Sequence, residues 1–308
     1  MRDRTLIVIL CETRGFNLTF ERFERNLLKV ISGDLALCVA DNEREDTSNP
    51  FYHAAKHIWR SKEYDDWGDA IESLRPDCHP DWRSLTRVPV QWLGSIKTAN
   101  PHPGSGGIIY YFREFLRKSL RDSDVLKDYD RVMITRSDFL HEIPHVPLEY
   151  LDSQHLWVPD GEHYRGITDR HCICPTEHIE KFLSMGDIFT ENPEELIAEM
   201  AGNNTWNPEQ ILKRHLNKTG LWDLVRYFPY TMYAVREASG HTTWSAGQFN
   251  KQVGAYVKYE TEYQRARLAR LLCGKSGWNR FKIRLFNLIH RPFDWCVNKL
   301  HFAKMRFS

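Results

Sequence analysis

No stretch of this sequence approaches the roughly 18 consecutive apolar residues of a membrane-spanning helix. The early apolar run, Leu6 to Cys11, is short and gives way at once to Glu12 and Arg14, which does not fit a secretory leader. Seven cysteines are scattered without paired C-x-x-C sets, which argues against a disulfide framework and for reduced thiols. Cys172 and Cys174 lie beside His171, but no second pair completes a tetrahedral zinc site. A P-loop, a Rossmann glycine fingerprint, H-E-x-x-H and a nucleophile elbow are all missing, which weakens NTPase, dehydrogenase, metalloprotease and hydrolase readings. These absences lead us to expect a cytoplasmic chain, free or held peripherally on one face of a membrane.

What is present suits a folded protein. The chain has 308 residues, 42% hydrophobic and 27% charged, enough for one large domain with a proper core. Its net charge of +1 conceals an asymmetry: residues 265–308 hold eleven Lys or Arg against Asp294, whereas the preceding 264 residues carry 31 basic and 40 acidic side chains. In the basic segment the cations alternate with Leu, Ile, Phe and Trp, the pattern of an amphipathic helix on an anionic membrane surface. Ten tryptophans, several in polar surroundings, are either platforms for sugar rings and bases or packing at core and seam.

Read in order, the chain alternates strand and helix. Thr5 to Cys11 and Asp34 to Ala40 are buried-strand runs around a helix over Asn17 to Val30, the opening of a nucleotide-binding α/β domain. Thr13 and Arg14 after the first strand and Asp41 after the second would then face one crevice. Residues 47–103 are irregular and rich in Trp and Pro, which suggests an insertion or lid. Gly104 to Gly107 could cradle a phosphate at the start of a helix over Ile108 to Leu120. Short strands follow near Leu156 and His171, helices at Thr176, Asn192 and Pro208, and a late strand over Phe228 to Val235.

The stretch around which these parts are organised is Tyr129 to His141. Val132, Met133 and Ile134 form a short strand that delivers Arg136 and Asp138 where open α/β sheets bind ligands. A strand-end acid such as Asp138 suits Mg2+ or Mn2+, which complete their shells with phosphate oxygens and water. Arg136, two residues earlier, would point to the same side and could grip phosphate oxygens bidentately; a mutual surface ion pair with Asp138 is the alternative. Asp169 in G-I-T-D-R and Glu209 in W-N-P-E-Q are candidate catalytic bases, with Asp169 preferred because acids such as Glu209 are favourable in a first helical turn anyway.

Three segments together resemble a family. Y-D-x-V-x-x-x-R-x-D at Tyr129 to Asp138, W-x-P-x-G-x-x-Y-x-G-I-x-D-R at Trp157 to Arg170 and P-E-x-x-L-x-x-H-L at Pro208 to Leu216 are similar in order and spacing to segments of GT-A-like glycosyltransferases. These are the enzymes of bacterial lipopolysaccharide-core and capsule synthesis, with comparable ones in large algal viruses. The resemblance covers residues 5 to 237. It implies a Rossmann-like α/β domain over residues 1–260, with a central, mostly parallel sheet flanked by helices, and leaves 261–308 as a basic helical segment. It also implies a nucleotide-sugar donor such as a UDP-sugar, a divalent cation and a carbohydrate acceptor. R-x-D stands in this chain for the family's D-x-D, so Asp138 is the only motif carboxylate for a metal. Two other classes stay open: a non-catalytic, membrane-associated carbohydrate-binding or scaffold protein, and a nucleic-acid binder using the basic tail, against which the acidic main body argues.

Overall fold

Thr5–Cys11 (β1) is an unbroken aliphatic and β-branched run, and it occupies an interior position of a seven-stranded sheet. The computed structural model describes residues 3–41, 48–87, 91–97, 104–201, 206–237 and 247–273, with Asn279, Lys282 and Leu285, and excludes the side chains of Asp41 and Gln91. The further strands are Asp34–Asp41 (β2), Ala55–Lys62 (β3), Arg131–Thr135 (β4), Phe139–His141 (β5), Leu156–Pro159 (β6), Cys172–Pro175 (β7), Val225–Phe228 (β8), Met232–Arg236 (β9), Gln248–Asn250 (β10) and Ala255–Val257 (β11). The main sheet runs β3-β2-β1-β4-β7-β6-β8. β1 is parallel to both β2 and β4; β7 is antiparallel to β4 and β6, and β6 and β8 are parallel. The expected mostly parallel α/β sheet is therefore present.

Alternate residues of β1 feed two cores. Leu6 and Val8 pack with Ala36, Cys38, Val132 and Ile134 on the face covered by the helix Gly106–Asp122. Ile7 and Ile9 pack with Leu35, Leu37 and Met133 against Phe23 and Leu27, from the helical segment that begins with Phe16–Phe23. A fully buried aliphatic side chain contributes roughly 1.5–3 kcal/mol relative to an exposed one, so this two-sided strand fixes the sheet.

Several expectations need correcting. Residues 47–103 contain β3, an edge strand pairing parallel with β2, and the helix Trp67–Leu74. Trp67, Trp82 and Trp92 are core residues there and not platforms. Gly106 and Gly107 do not cradle a phosphate: a Cβ on Gly106 would lie 1.9 Å from the Trp92 carbonyl, and one on Gly107 2.8 Å from Ile96, so the glycines permit close packing. The single late strand is two, β8 in the main sheet and β9 in a second antiparallel sheet of order β10-β11-β9-β5. Cys172 and Cys174 are buried strand residues whose thiols burial pushes up, Cys172 to about 12, and they behave as inert core.

The basic segment enters the fold as the helix Glu260–Cys273, which buries Glu262, Tyr263, Ala266 and Ala269 and exposes Leu268, Leu271 and Leu272. Among the described residues no helix is long and apolar enough to cross a membrane. The tail beyond this helix, apart from Asn279, Lys282 and Leu285, lies outside the described residues, as does Trp244.

Where β5 and β7 approach, three fully buried histidines gather. His145 Nε2 lies 3.3 Å from His171 Nε2, His171 Nδ1 lies 2.9 Å from Thr135 Oγ1, and both ring nitrogens of His141 lack partners among the described residues. Burial pushes His141 down to about 3, His145 to about 4 and His171 well below the ordinary histidine value. The unfolded chain protonates these rings near 6.5 while the folded chain keeps them neutral, so stability is complete above that value and is lost as pH falls below it. Urea unfolding midpoints should drop steeply between pH 7 and pH 5. His141→Leu should flatten that dependence by about 1.4 kcal/mol per pH unit, one proton's worth; an unchanged slope would refute the buried-histidine cause.

Candidate active site

The order of strands reverses direction at β1: the chain moves outward to β2 and β3 on one side, while β4 joins on the other. In open α/β sheets such a switch point leaves a crevice beyond the carboxyl ends of the two strands. The loop Glu12–Gly15 after β1 and the turn Arg136–Asp138 after β4 meet there. Ser137 Oγ donates to the carbonyls of Glu12 (2.9 Å) and Arg14 (3.0 Å), and Thr19 Oγ1 donates to the carbonyl of Ser137 (2.7 Å). Gly15 has φ of 72°, the left-handed region that favours glycine, and a Cβ on it would touch Asp138 Cβ at 3.8 Å.

Asp138 is 1% exposed and receives three guanidinium groups. Arg136 donates through Nε to Oδ1 (2.8 Å) and through Nη2 to Oδ2 (2.7 Å); Arg236 Nη1 reaches Oδ2 at 2.5 Å and Arg14 Nε at 3.4 Å. Burial by itself would raise this carboxyl, but Arg136 above all, then Arg236 and Arg14, hold it well below the usual carboxylate range. Arg136 and Asp138 thus form an ion pair, but a buried one shared with Arg236 and Arg14 and not the surface pair that the sequence left as an alternative.

The cations exceed what Asp138 can neutralise. Arg236, at the end of β9, is 4% exposed, and its Nε and Nη2 find no acceptor among the described residues. Lys258, just past β11, is pushed down to about 7 by burial and by Arg136 and Arg236, and its Nζ stands 5.0 Å from the Tyr259 ring centre. Arg170 stacks over the same ring at 4.6 Å and pairs with buried Glu262 at 2.5 Å. Glu262 also accepts from the Ala234 amide (2.8 Å), which anchors the helix Glu260–Cys273 to β9 beside the crevice.

A carboxyl cluster adjoins these cations. Gly166 packs directly on the backbone of Glu209, where a Cβ would lie 1.9 Å from the carbonyl oxygen, and Ile167 N donates to that carbonyl (3.1 Å). The loop bearing Asp169 and the first turn of the helix Pro208–Lys218 are therefore one unit. Burial first, and the negative charge of Asp169 second, push the Glu209 carboxyl up to about 8. Arg113 Nη2 donates to the Asp169 carbonyl at 3.1 Å. The two candidate bases, weighed as rivals in the sequence, are neighbours.

The remaining expectations divide. Arg14 lies in the crevice; Thr13 is turned to Asn49, whose Nδ2 donates to its hydroxyl at 2.8 Å. The side chain of Asp41 lies outside the described residues. Arg236, Lys258, Tyr259 and Glu262 were missed. Arg236 obeys the same strand-end logic as Asp138, so a signal for it existed; the polar run around Tyr256 to Tyr263 offered none.

A divalent cation does not fit at Asp138. A dication there would meet a carboxylate already shared by the guanidiniums of Arg136, Arg236 and Arg14, whose positive charge opposes it. Both oxygens are already engaged, and no group of three or more His, Cys, Asp or Glu side chains among the described residues could hold a metal.

No family model matches the chain, and no curated protein matches it in sequence. Among solved structures, it is similar to the apo form of mouse xyloside xylosyltransferase 1, at 9% identity and a TM-score of 0.39, covering 74% of this chain and 85% of that one.

Asp138→Asn should lower unfolding free energy by about 3–5 kcal/mol in urea titration, because it leaves buried Arg236 beside Arg136 uncompensated. Arg14→Gln, at the solvent side, should change it by less than about 1 kcal/mol. Equal effects of the two would refute the view of Asp138 as the buried hub.

Proposed function

We propose that this chain is a glycosyltransferase, moving a sugar from a nucleotide diphosphate donor, a UDP-sugar in the first instance, to a carbohydrate acceptor in glycan or polysaccharide synthesis. The observation that supports this most is the pairing, at a strand switch point, of an over-cationic crevice with a carboxyl whose pKa is pushed up to about 8. Sugar transfer from such a donor needs both: a cationic seat for the diphosphate as the bond to the anomeric carbon breaks, and a base for the acceptor hydroxyl as the new bond forms. Arg14, Arg136 and Arg236 suit the first role. Glu209 suits the second, since a base titrating near the working pH takes a proton most effectively. In this reading the acceptor oxygen attacks the anomeric carbon, its proton passes to Glu209, and the diphosphate departs with the electron pair of the broken bond. Asp169 positions Glu209 electrostatically.

Further support comes from the three sequence segments of the family resemblance. Tyr129 to Asp138 ends in the cationic crevice, and Trp157 to Arg170 packs on Pro208 to Leu216 through Gly166 and Glu209. The protein would work on the cytoplasmic face of a membrane, a view supported by Leu268, Leu271 and Leu272 standing exposed beside Arg267 and Arg270.

Two measurements test the reading. In a screen of nucleotide sugars with oligosaccharide acceptors, turnover should rise with pH to a plateau above about 8, and Glu209→Gln should lower it roughly 10²- to 10⁴-fold. Asp169→Asn should move the rising limb to lower pH, because it removes the charge that raises Glu209; no turnover with any donor would sink the proposal. Separately, the chain should sediment with phosphatidylserine vesicles and not with neutral ones, and a triple Ser replacement at Leu268, Leu271 and Leu272 should weaken this.

A further inference from the structure

We infer that Arg14, Arg136, Arg236 and Lys258 form a diphosphate-binding site that works without a divalent cation, the side chains carrying the charge that a metal ion would otherwise bring to the donor. This rests on the glycosyltransferase reading for the identity of the ligand, but the site itself stands on geometry. Three guanidiniums converge on one carboxylate, and Lys258 follows Tyr256 and Val257, which pair with Arg236 and Val235 of β9.

Asp138 satisfies only part of the donor capacity it gathers. Of the five N–H bonds of Arg236, those on Nε and Nη2 are buried without an acceptor among the described residues, and an unpaired buried donor is costly unless a ligand completes it. Among the described residues Lys258 has no carboxylate within ion-pair distance; its backbone N donates to the Ala234 carbonyl of β9 (2.9 Å), two residues before Arg236, and its Nζ stands 5.0 Å from the Tyr259 ring centre, the ring that Arg170 also covers. Asp138, together with Glu12, which pairs with Arg14 at 3.3 Å, is outnumbered by Arg14, Arg136, Arg236 and Lys258, and like charges held together in excess of their counter-ions are unfavourable until an anion joins them. An anion that offers several acceptor oxygens to planar forks suits the unfilled donors, a description that fits a diphosphate better than a carboxylate. Arg14 and Arg136, the more exposed members, give the side from which it would enter.

The role of Asp138 changes accordingly. It does not ligate a metal; its two oxygens set the spacing and orientation of the guanidinium forks. Arg136 occupies the R of R-x-D, the place where a D-x-D protein has its first acid, and it supplies a positive charge where that acid would collect one.

The test is isothermal titration of the full chain with inorganic pyrophosphate and with UDP, each in EDTA and in excess Mg2+ or Mn2+. Binding should occur in EDTA, with a dissociation constant within about threefold of that measured with metal. Lys258→Met, which removes a half-buried charge and should leave the melting temperature unchanged or higher, should weaken pyrophosphate binding at least tenfold in EDTA; Arg14→Gln should weaken it several-fold. Binding that requires metal, binding in neither condition, or metal-free binding untouched by both substitutions would each overturn the inference. Metal-free pyrophosphate binding in a protein that turns over no nucleotide sugar would uphold the site and overturn the transferase reading, so the two can fail separately.

Discussion

Much of this structure hangs on a carboxylate taken out of water. Asp138 is buried, and a lone charge in that position would cost several kcal/mol; it is stable because three guanidiniums from three different parts of the chain accompany it. Arg14 comes from the loop after β1, Arg136 from the turn after β4 and Arg236 from the end of β9. One side chain therefore ties the switch point of the main sheet to the second sheet, and the two sheets meet at the place where the chemistry is concentrated. The neighbouring hydrogen bonds of Ser137 and Thr19 carry no charge and serve to keep this junction in register.

How much of this was legible in the sequence depended on whether a segment was organised by local or distant partners. β1 and β2 are continuous apolar runs covered on both faces, and such runs declare themselves. The helices at Thr176, Asn192 and Pro208 carry their own start signals, and at the last Asn207 accepts from Gln210 N at 2.9 Å. β3 was hidden because A-K-H-I-W-R-S-K is an edge strand, polar and half-exposed, with no alternation to mark it. The hairpin of β10 and β11 is three residues a side and owes its place to β9, so nothing local could specify it.

The sequence singled out Asp138 and Arg136, and the fold surrounds them with cations that it did not single out. Asp138 and Arg136 stood out because a strand ended in charge. A carboxylate alone suggests metal, and the guanidinium that reverses that expectation, Arg236, lies 98 residues further along the chain. Likewise Glu209 could be explained in sequence as an ordinary acid of a first helical turn. Burial first, and the charge of Asp169 second, make it an unusual carboxyl, and both come from the packing of the Gly166 loop on its helix. Perturbed acids and unpaired cations arise from convergence, and convergence is a property of the fold.

The helix Glu260–Cys273 gives this arrangement a mechanical side. Through Glu262 its first turn is bonded to Arg170 and to the Ala234 amide, while its far end leads into the most basic part of the chain. The crevice wall and the root of the tail are thus the same rigid rod. Any surface that captures the tail also sets the compass bearing of the crevice, and a substrate displayed on that surface would meet the opening from one side only.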